Sequence, residues 1–404
     1  MPPGMSGGAL SALREMRWLD SGRVRGYAVL VGLASLALLA NSYIKAMGPD
    51  GSDFLAFWGA GHVTFAGHPA LAYDLAVQQQ VQTGTGSVGW FAFVNPPPFL
   101  FLAAPFGALP FPMAWIAWVL VWGAAWAWAA IRVFPRLWSL VLVFPGALLA
   151  AGHAQTGFLT GALLLGGVTM VDRRPLLAGV LIGALVIKPH LALLLPFWLA
   201  AGGRWRVFCA AGASAAGWLA LAWLVFGSQA MLGYTSSWQA SAAIMQSDDP
   251  GFYLRMATPY ALLRPLLGAG VALAVNGLLA VALAALAMRS WRRCGGDALA
   301  SGAVLLAATA LASPYLFNYD LPFLILPLLW LGAQGLRHGF RPWEKALLAL
   351  LWCAPYATRA LALPLGVNAM PLLSGLLLWL VWIRAACPAV ANPPQAAAKV
   401  TISA

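Results

Sequence analysis

YAVLVGLASLALLANSYIKA, residues Tyr27–Ala46, is an apolar run of membrane-spanning length and sets the class of the whole chain. It follows Arg14, Arg17, Arg23 and Arg25, a basic segment too long for a secretory leader, and no small-x-small cleavage site precedes the next polar stretch. The run therefore reads as a retained first helix. Further apolar runs lie at 113–131, 138–152, 156–171, 175–187, 189–202, 207–227, 260–288, 297–313, 320–336, 346–360 and 366–384. With the first they give about twelve crossings by the length rule. The composition agrees: 62% of the 404 residues are hydrophobic and 8% charged, with mean hydropathy +0.81. An all-α polytopic membrane protein is expected, with a single transmembrane domain over 27–386, a cytoplasmic arm at 1–26 and a disordered cytoplasmic tail at 387–404.

The net charge of +12 would point to nucleic acid in a soluble protein. Distribution along the chain decides otherwise. With both termini cytoplasmic, 18 of the 23 Lys and Arg fall on inner segments, and only Lys45, Lys188, Arg255, Arg264 and Arg359 fall outside. Acids are spread almost evenly between the two sides. The basic excess is therefore a positive-inside signal, and no nucleic-acid partner is expected. Cys209, Cys294, Cys353 and Cys387 show no paired spacing and no histidine partner, so they read as small apolar residues.

Between the first run and the second lies a loop at about 47–98, long for a connection and therefore expected to be functional. It opens on Gly51-Ser-Asp-Phe-Leu-Ala-Phe-Trp-Gly-Ala60 and ends on Asn95-Pro-Pro-Pro98. Phe54, Phe57, Trp58, Val63 and Phe65 recur at near-helical spacing, which predicts a short amphipathic helix on the membrane surface. Asp53 precedes it. In a chain with 11 acidic residues, a carboxylate at a membrane boundary is a candidate general base, and helix capping is its competing role. The run 99–109 is short and broken by Pro105, so it is expected not to cross.

Breaks in the shorter apolar runs, at Gly152-His-Ala-Gln-Thr-Gly157 and Lys188-Pro-His190, predict irregular backbone lining a water-filled pocket. One face then collects Asp53, Asp74, His153, Gln155, Lys188, His190, Asp248, Asp249, Arg255, Asn318, Tyr319 and Asp320. Charges at membrane depth must pair or meet water. Asp320 has a rival role as the cap of the following helix. The tryptophans Trp115, Trp118, Trp122, Trp126 and Trp128 read as interface anchors and packing residues.

The order of these segments resembles glycosyltransferase family 87, the polyprenyl-phosphate-mannose-dependent α-(1→2) mannosyltransferase-like membrane proteins. The resemblance runs through Ser52-Asp-Phe-Leu-Ala-Phe-Trp58, Gly67-His-Pro-Ala-Leu-Ala-Tyr-Asp74, Pro96-Pro-Pro-Phe99, Gln155-Thr-Gly-Phe-Leu-Thr160, Asp172-Arg-Arg-Pro175, Lys188-Pro189, Gly202-Gly-Arg-Trp205 and Ser313-Pro-Tyr-Leu-Phe-Asn-Tyr-Asp320. Asn95, His190 and Asn318 depart from the commoner pattern of that family. The resemblance implies a GT-C membrane glycosyltransferase in the bacterial plasma membrane with an extracytoplasmic site. It would move a hexose, mannose in that family, from a polyprenyl-phosphate donor to a lipid or glycan acceptor with inversion. Asp53 is then the base, with Lys188 as its partner. Lys188, Arg255 and His153 would hold the donor phosphate, and Gln155, His190, Asp74, Asn318, Tyr319 and Asp320 the substrates. An inverting transfer needs one carboxylate for the acceptor proton and cations for the departing phosphate. A single phosphate leaving group needs no divalent ion, so neither metal nor cofactor is expected. A secondary transporter or flippase is the alternative, because broken helices near mid-membrane are typical of transporters. Against it stand the absence of an internal repeat and the long first loop.

Overall fold

In the computed structural model, residues 5–246 and 249–385 are described. Asp248, Cys387 and the expected tail at 387–404 lie outside them. The described chain is all-helical, without strands; Met256 and Phe317 form an isolated bridge. Every one of the twelve expected apolar segments is helical. Among the described residues, six helices can cross a membrane by length and composition: Ser21–Ala46, Phe111–Ile131, Trp205–Gln239, Ala269–Arg293, Asn318–His338 and Glu344–Leu365. The pair Pro135–Leu142 and Pro145–Gly152, bent by 50°, makes a seventh if it is one span. The other apolar helices have 10–17 residues, mostly below the roughly 17–25 needed against lipid. A count of twelve therefore rests on short helices shielded by protein.

Their burial shows that shielding. Helix Ala298–Ala312 is buried at every position from Ala300 onward, because its alanine-rich surface lets neighbours approach closely. Polar atoms inside are paired: Trp198 Nε1 donates to Ser301 Oγ at 2.7 Å, and Trp291 Nε1 to the Trp198 carbonyl at 2.7 Å. The amino-terminal arm is also built in. Its helix Met5–Glu15 leads to a turn whose Met16 and Leu19 carbonyls each accept from Lys345 Nζ at 3.0 Å.

One expectation about the first loop changes. The loop folds into helices Phe54–Phe65, Pro69–Tyr73 and Leu75–Thr83, and Phe54–Phe65 is not an interfacial helix. Phe54 to Gly61, Val63 and Thr64 are all buried, as suits a helix apolar on every face rather than along one stripe. One side packs against helix Leu100–Gly107, where Gly61 and Gly107 allow backbone contact that a Cβ would block. Another packs on Trp118, whose ring lies 5.6 Å from Phe54, 5.8 Å from Phe57 and 5.0 Å from Phe106. Trp118 is thus a support under the helix that begins after Asp53. The segment after Gly227 also differs from a plain connection: helix Trp205–Gln246 kinks at Gly227 (φ 76°) and continues, placing Gly233 against Tyr73 of the first loop.

Candidate active site

The Asp53 carboxylate faces a cavity of about 590 Å³, whose other walls include His153, Gln155, Lys188, His190, Arg255, Asn318, Tyr319 and Arg359. Asp53 precedes the first residue of helix Phe54–Phe65, yet its side chain makes no capping bond. Capping does not explain it. Instead Gln155 Nε2 donates to Asp53 Oδ2 at 3.1 Å, and His153 Nδ1 lies 3.8 Å from the same oxygen. The carboxylate remains 29% exposed, open enough to meet a substrate hydroxyl. Among the described residues it is the one acidic side chain lining the cavity.

The turn carrying His153 and Gln155 is set by the end of helix Pro145–Gly152. Ala154 N–H donates to Ala151 and Gln155 N–H to Ala150, at 2.9 and 3.0 Å, which is the paired closure of a Schellman motif. Ala154 takes the left-handed position (φ 45°) usually given to glycine. That reversal brings His153 and Gln155, on either side of it, to one carboxylate. Helix Gly157–Met170 starts immediately after, with Gly157 so close to the Tyr319 carbonyl that no Cβ fits. The Gly157 contact seats Tyr319 across from His153, ring centroids 5.6 Å apart. His153 sits below the ordinary histidine range. Loss of solvation in the cavity is the main cause, Asp53 opposes it, and Arg359 and Arg255 reinforce it.

Lys188 lies where the chain breaks between Ala184–Ile187 and Pro189–Ala192, but it does not pair with Asp53. Its ammonium forms an ion pair with Asp320, which is fully buried, and donates to Thr156 Oγ1 at 3.1 Å. Asp320 also accepts from the Phe317 N–H at 3.2 Å. The charge of Lys188 is therefore largely committed within the wall. Asp320, expected among substrate contacts, is the counter-ion.

Two guanidinium groups carry the uncommitted positive charge. Arg255 and Arg359 line the cavity, and neither guanidinium makes a hydrogen bond or ion pair among the described residues. Both are held by one amide network. Asn368 Nδ2 lies 3.1 and 3.0 Å from the carbonyls of Leu254 and Met256, which flank Arg255, and 2.9 Å from Asn318 Oδ1. Asn318 Nδ2 in turn donates to the Pro355 carbonyl and Thr358 Oγ1 at 2.8 and 2.9 Å, just before Arg359 on the same helix. Asn318 thus touches the cavity while its amide serves the wall.

Asp74 is elsewhere. It caps helix Leu75–Thr83, accepting from the N–H groups of Ala76 and Val77 at 2.9 and 3.1 Å, and does not line the cavity. Asp249 caps Pro250–Tyr253 by accepting from Gly251. His190 lines the cavity with its Nε2 buried and unpartnered, edge-on to Tyr315 at 5.8 Å. Sequence reasoning missed Arg359 and the aromatic walls, among them Tyr234, Trp238, Tyr315 and Phe317. An arginine inside an apolar span was a usable signal. Tyr234 and Trp238, four apart and 5.7 Å between rings, were hidden because their helix was read as a connection.

The chain matches the sequence model of glycosyltransferase family 87 over residues 93–314. That match takes in His153, Gln155, Lys188, His190 and Arg255, and ends short of Asn318, Tyr319, Asp320 and Arg359; Asp53 precedes it. No curated protein and no solved structure matches the chain.

Proposed function

Because this chain belongs to glycosyltransferase family 87, we propose that it transfers a hexose from a polyprenyl-phosphate donor to a lipid or glycan acceptor, with inversion and with Asp53 as general base. Mannose is the sugar that the family resemblance suggests. One observation carries the reading: a single carboxylate shares a cavity with two uncommitted guanidinium groups. An inverting displacement needs that inventory. Asp53 Oδ2 takes the acceptor hydroxyl proton as the oxygen attacks the anomeric carbon, and the sugar–phosphate bond breaks on the opposite side. The polyprenyl phosphate leaves with its new charge facing Arg255 and Arg359, whose planar donors suit phosphate oxygens. Gln155 orients the carboxylate, and His153, neutral at ordinary pH, adds a polar contact without a competing charge.

In this reading a single-phosphate leaving group with two cationic partners calls for no metal or cofactor. The site opens on the extracytoplasmic face of a bacterial plasma membrane, with both termini cytoplasmic, as the arginine distribution suggests. The membrane domain would run over 27–386 as one unit. Asn318 and Asp320 act in this scheme through Arg255, Arg359 and Lys188, while His190 and Tyr319 face the substrates.

Membranes carrying the wild type or Asp53→Asn, supplied with radiolabelled polyprenyl-phosphate mannose and extracted lipid acceptors, test the reading. Wild type is expected to label an acceptor, and Asp53→Asn to insert normally but lose transfer by about 10²-fold or more. Near-wild-type transfer by Asp53→Asn would remove the base assignment. Sugar movement across sealed vesicles without any transfer would favour a transporter.

A further inference from the structure

A second concavity, of about 1040 Å³, lies along helix Ser21–Ala46, with helices Phe111–Ile131 and Pro145–Gly152 as its other walls. It shares no lining residue with the Asp53 cavity. Its floor is apolar and narrow-sided. Ala28, Gly32 and Ser35 on the first helix face small residues such as Ala124 and Ala127, and Gly32 brings that helix so near Val143 that a Cβ would stand 3.2 Å from its methyl. From Arg25 to Leu39 the groove follows fifteen residues of helix, about 21 Å from first to last at about 1.5 Å per step. Such a length is on the scale of one leaflet, half of a hydrocarbon core about 30 Å thick.

Charge marks one end. Arg25, near the start of helix Ser21–Ala46, and Arg136, in the turn Pro135–Leu137, both line the groove, and no acidic residue does. Neither guanidinium makes a hydrogen bond or ion pair among the described residues. Three other arginines on that side are engaged, Arg204 with Asp172, Arg384 with Glu344 and Arg293 over the Trp382 ring; what sets Arg25 and Arg136 apart is that they share one apolar groove. Asp53 follows the opposite end of helix Ser21–Ala46, so the two arginines stand at the membrane face remote from the cavity. An apolar channel one leaflet long, headed by two unpaired guanidinium groups, is complementary to one kind of molecule. We propose that the groove binds an anionic glycerophospholipid of that leaflet, its phosphate held by Arg25 and Arg136 and an acyl chain lying along Gly32 to Leu39.

The groove backs onto the active site without opening into it. Helix Pro145–Gly152 presents Ala147, Leu148 and Ala151 to the groove and Leu149 to the cavity, and it ends at His153. An occupied groove would brace the helix whose end fixes His153 and Gln155. The lipid would thus stabilise the protein from the opposite leaflet.

The test uses full-length protein purified and delipidated in a mild detergent. Phosphatidylglycerol carrying brominated acyl chains is titrated while tryptophan fluorescence and the thermal midpoint are followed, since Trp126 and Trp138 line the groove. Quenching and stabilisation are expected with phosphatidylglycerol. Phosphatidylcholine is expected to bind about tenfold more weakly or worse, because its choline cancels the net negative charge that the two guanidinium groups attract. Arg25→Gln/Arg136→Gln, two exposed positions, should lose that preference while keeping the fold. Ser35→Phe, which fills the groove and spares both arginines, should abolish quenching by either lipid. Equal binding of both lipids, an undiminished preference in the arginine double variant, or the same stabilisation by inorganic phosphate alone would overturn the proposal. So would a dimer whose formation shields Trp126 and Trp138, because the occupant would then be a second copy of the chain.

Discussion

Replacing Lys188 by methionine leaves the Asp320 carboxylate without its counter-ion. Asp320 is 0% exposed and Lys188 11%, so the orphaned charge would keep only the Phe317 N–H, at 3.2 Å. Breaking a buried pair from one side costs about 3–5 kcal/mol. Thr156 Oγ1 loses a donor as well, worth about 1 kcal/mol. Asp320→Leu should cost less, about 1–3 kcal/mol, because the ammonium it strands faces the cavity and can be hydrated. The double variant Lys188→Met/Asp320→Leu removes both charges and is expected within about 1–2 kcal/mol of wild type, since exchanging a buried pair for apolar groups of similar volume is often neutral. The cycle should therefore close with a coupling energy of at least about 2 kcal/mol. Denaturation of the four proteins in one detergent, followed by tryptophan fluorescence, measures it. Additive losses would refute the reasoning and return Lys188 to the cations free to meet a donor phosphate.

Trp118→Ala should destabilise by about 3 kcal/mol, the low end for an aromatic core residue because transfer from lipid contributes less than transfer from water; the same denaturation measures it, and transfer should fall with it as Asp53 loses its support. Gly157→Ala forces the Tyr319 carbonyl away, which should cost about 1–3 kcal/mol and, for a displacement near 1 Å, about 10²-fold in transfer; Gly123→Ala, whose Cβ meets Phe158 at an ordinary 3.5 Å, should change neither. Asn368→Ala should raise the apparent donor KM more than it lowers kcat, because it frees the segment carrying Arg255, and kinetics against donor concentration read the split. His153 has its folded pKa lowered, so its contribution to stability is full above the unfolded value of about 6.5 and declines as pH falls through it toward the folded value. Transfer should weaken only at lower pH, near the depressed folded value, where an imidazolium forms to compete for Asp53, and a pH profile of His153→Gln should lack that limb.

Much of the architecture was legible because hydropathy is a local property. Apolar runs fixed where the helices lie, and scarcity of acid singled out Asp53 before any neighbour was known. The breaks at Gly152–Gly157 and Lys188–His190 were equally legible, since glycine, proline and polar residues interrupt apolar runs visibly. Partnership was not. Asp320 and Asp53 were both acids on the same expected face, and nothing in their local sequence distinguishes a buried counter-ion from an open base. Asp74 looked as available as Asp53 until its carboxylate was found on the N–H groups of its own helix. The helix Phe54–Phe65 was expected on the membrane surface because its aromatic spacing fits an amphipathic stripe; its small residues, Gly59, Ala60 and Gly61, are where close packing buries the other side.

An all-helical membrane protein with a long first loop was readable from the residues alone, for the span of an apolar run and the cost of charge in lipid are set residue by residue. Which charges are spent and which are free follows from packing. Lys188 and Asp320 stand 132 residues apart and neutralise one another, whereas Asp53, Arg255 and Arg359 are left facing open volume. A charge acquires its role from the distance to its nearest opposite and from its access to water, and both are properties of packed neighbours distant along the chain.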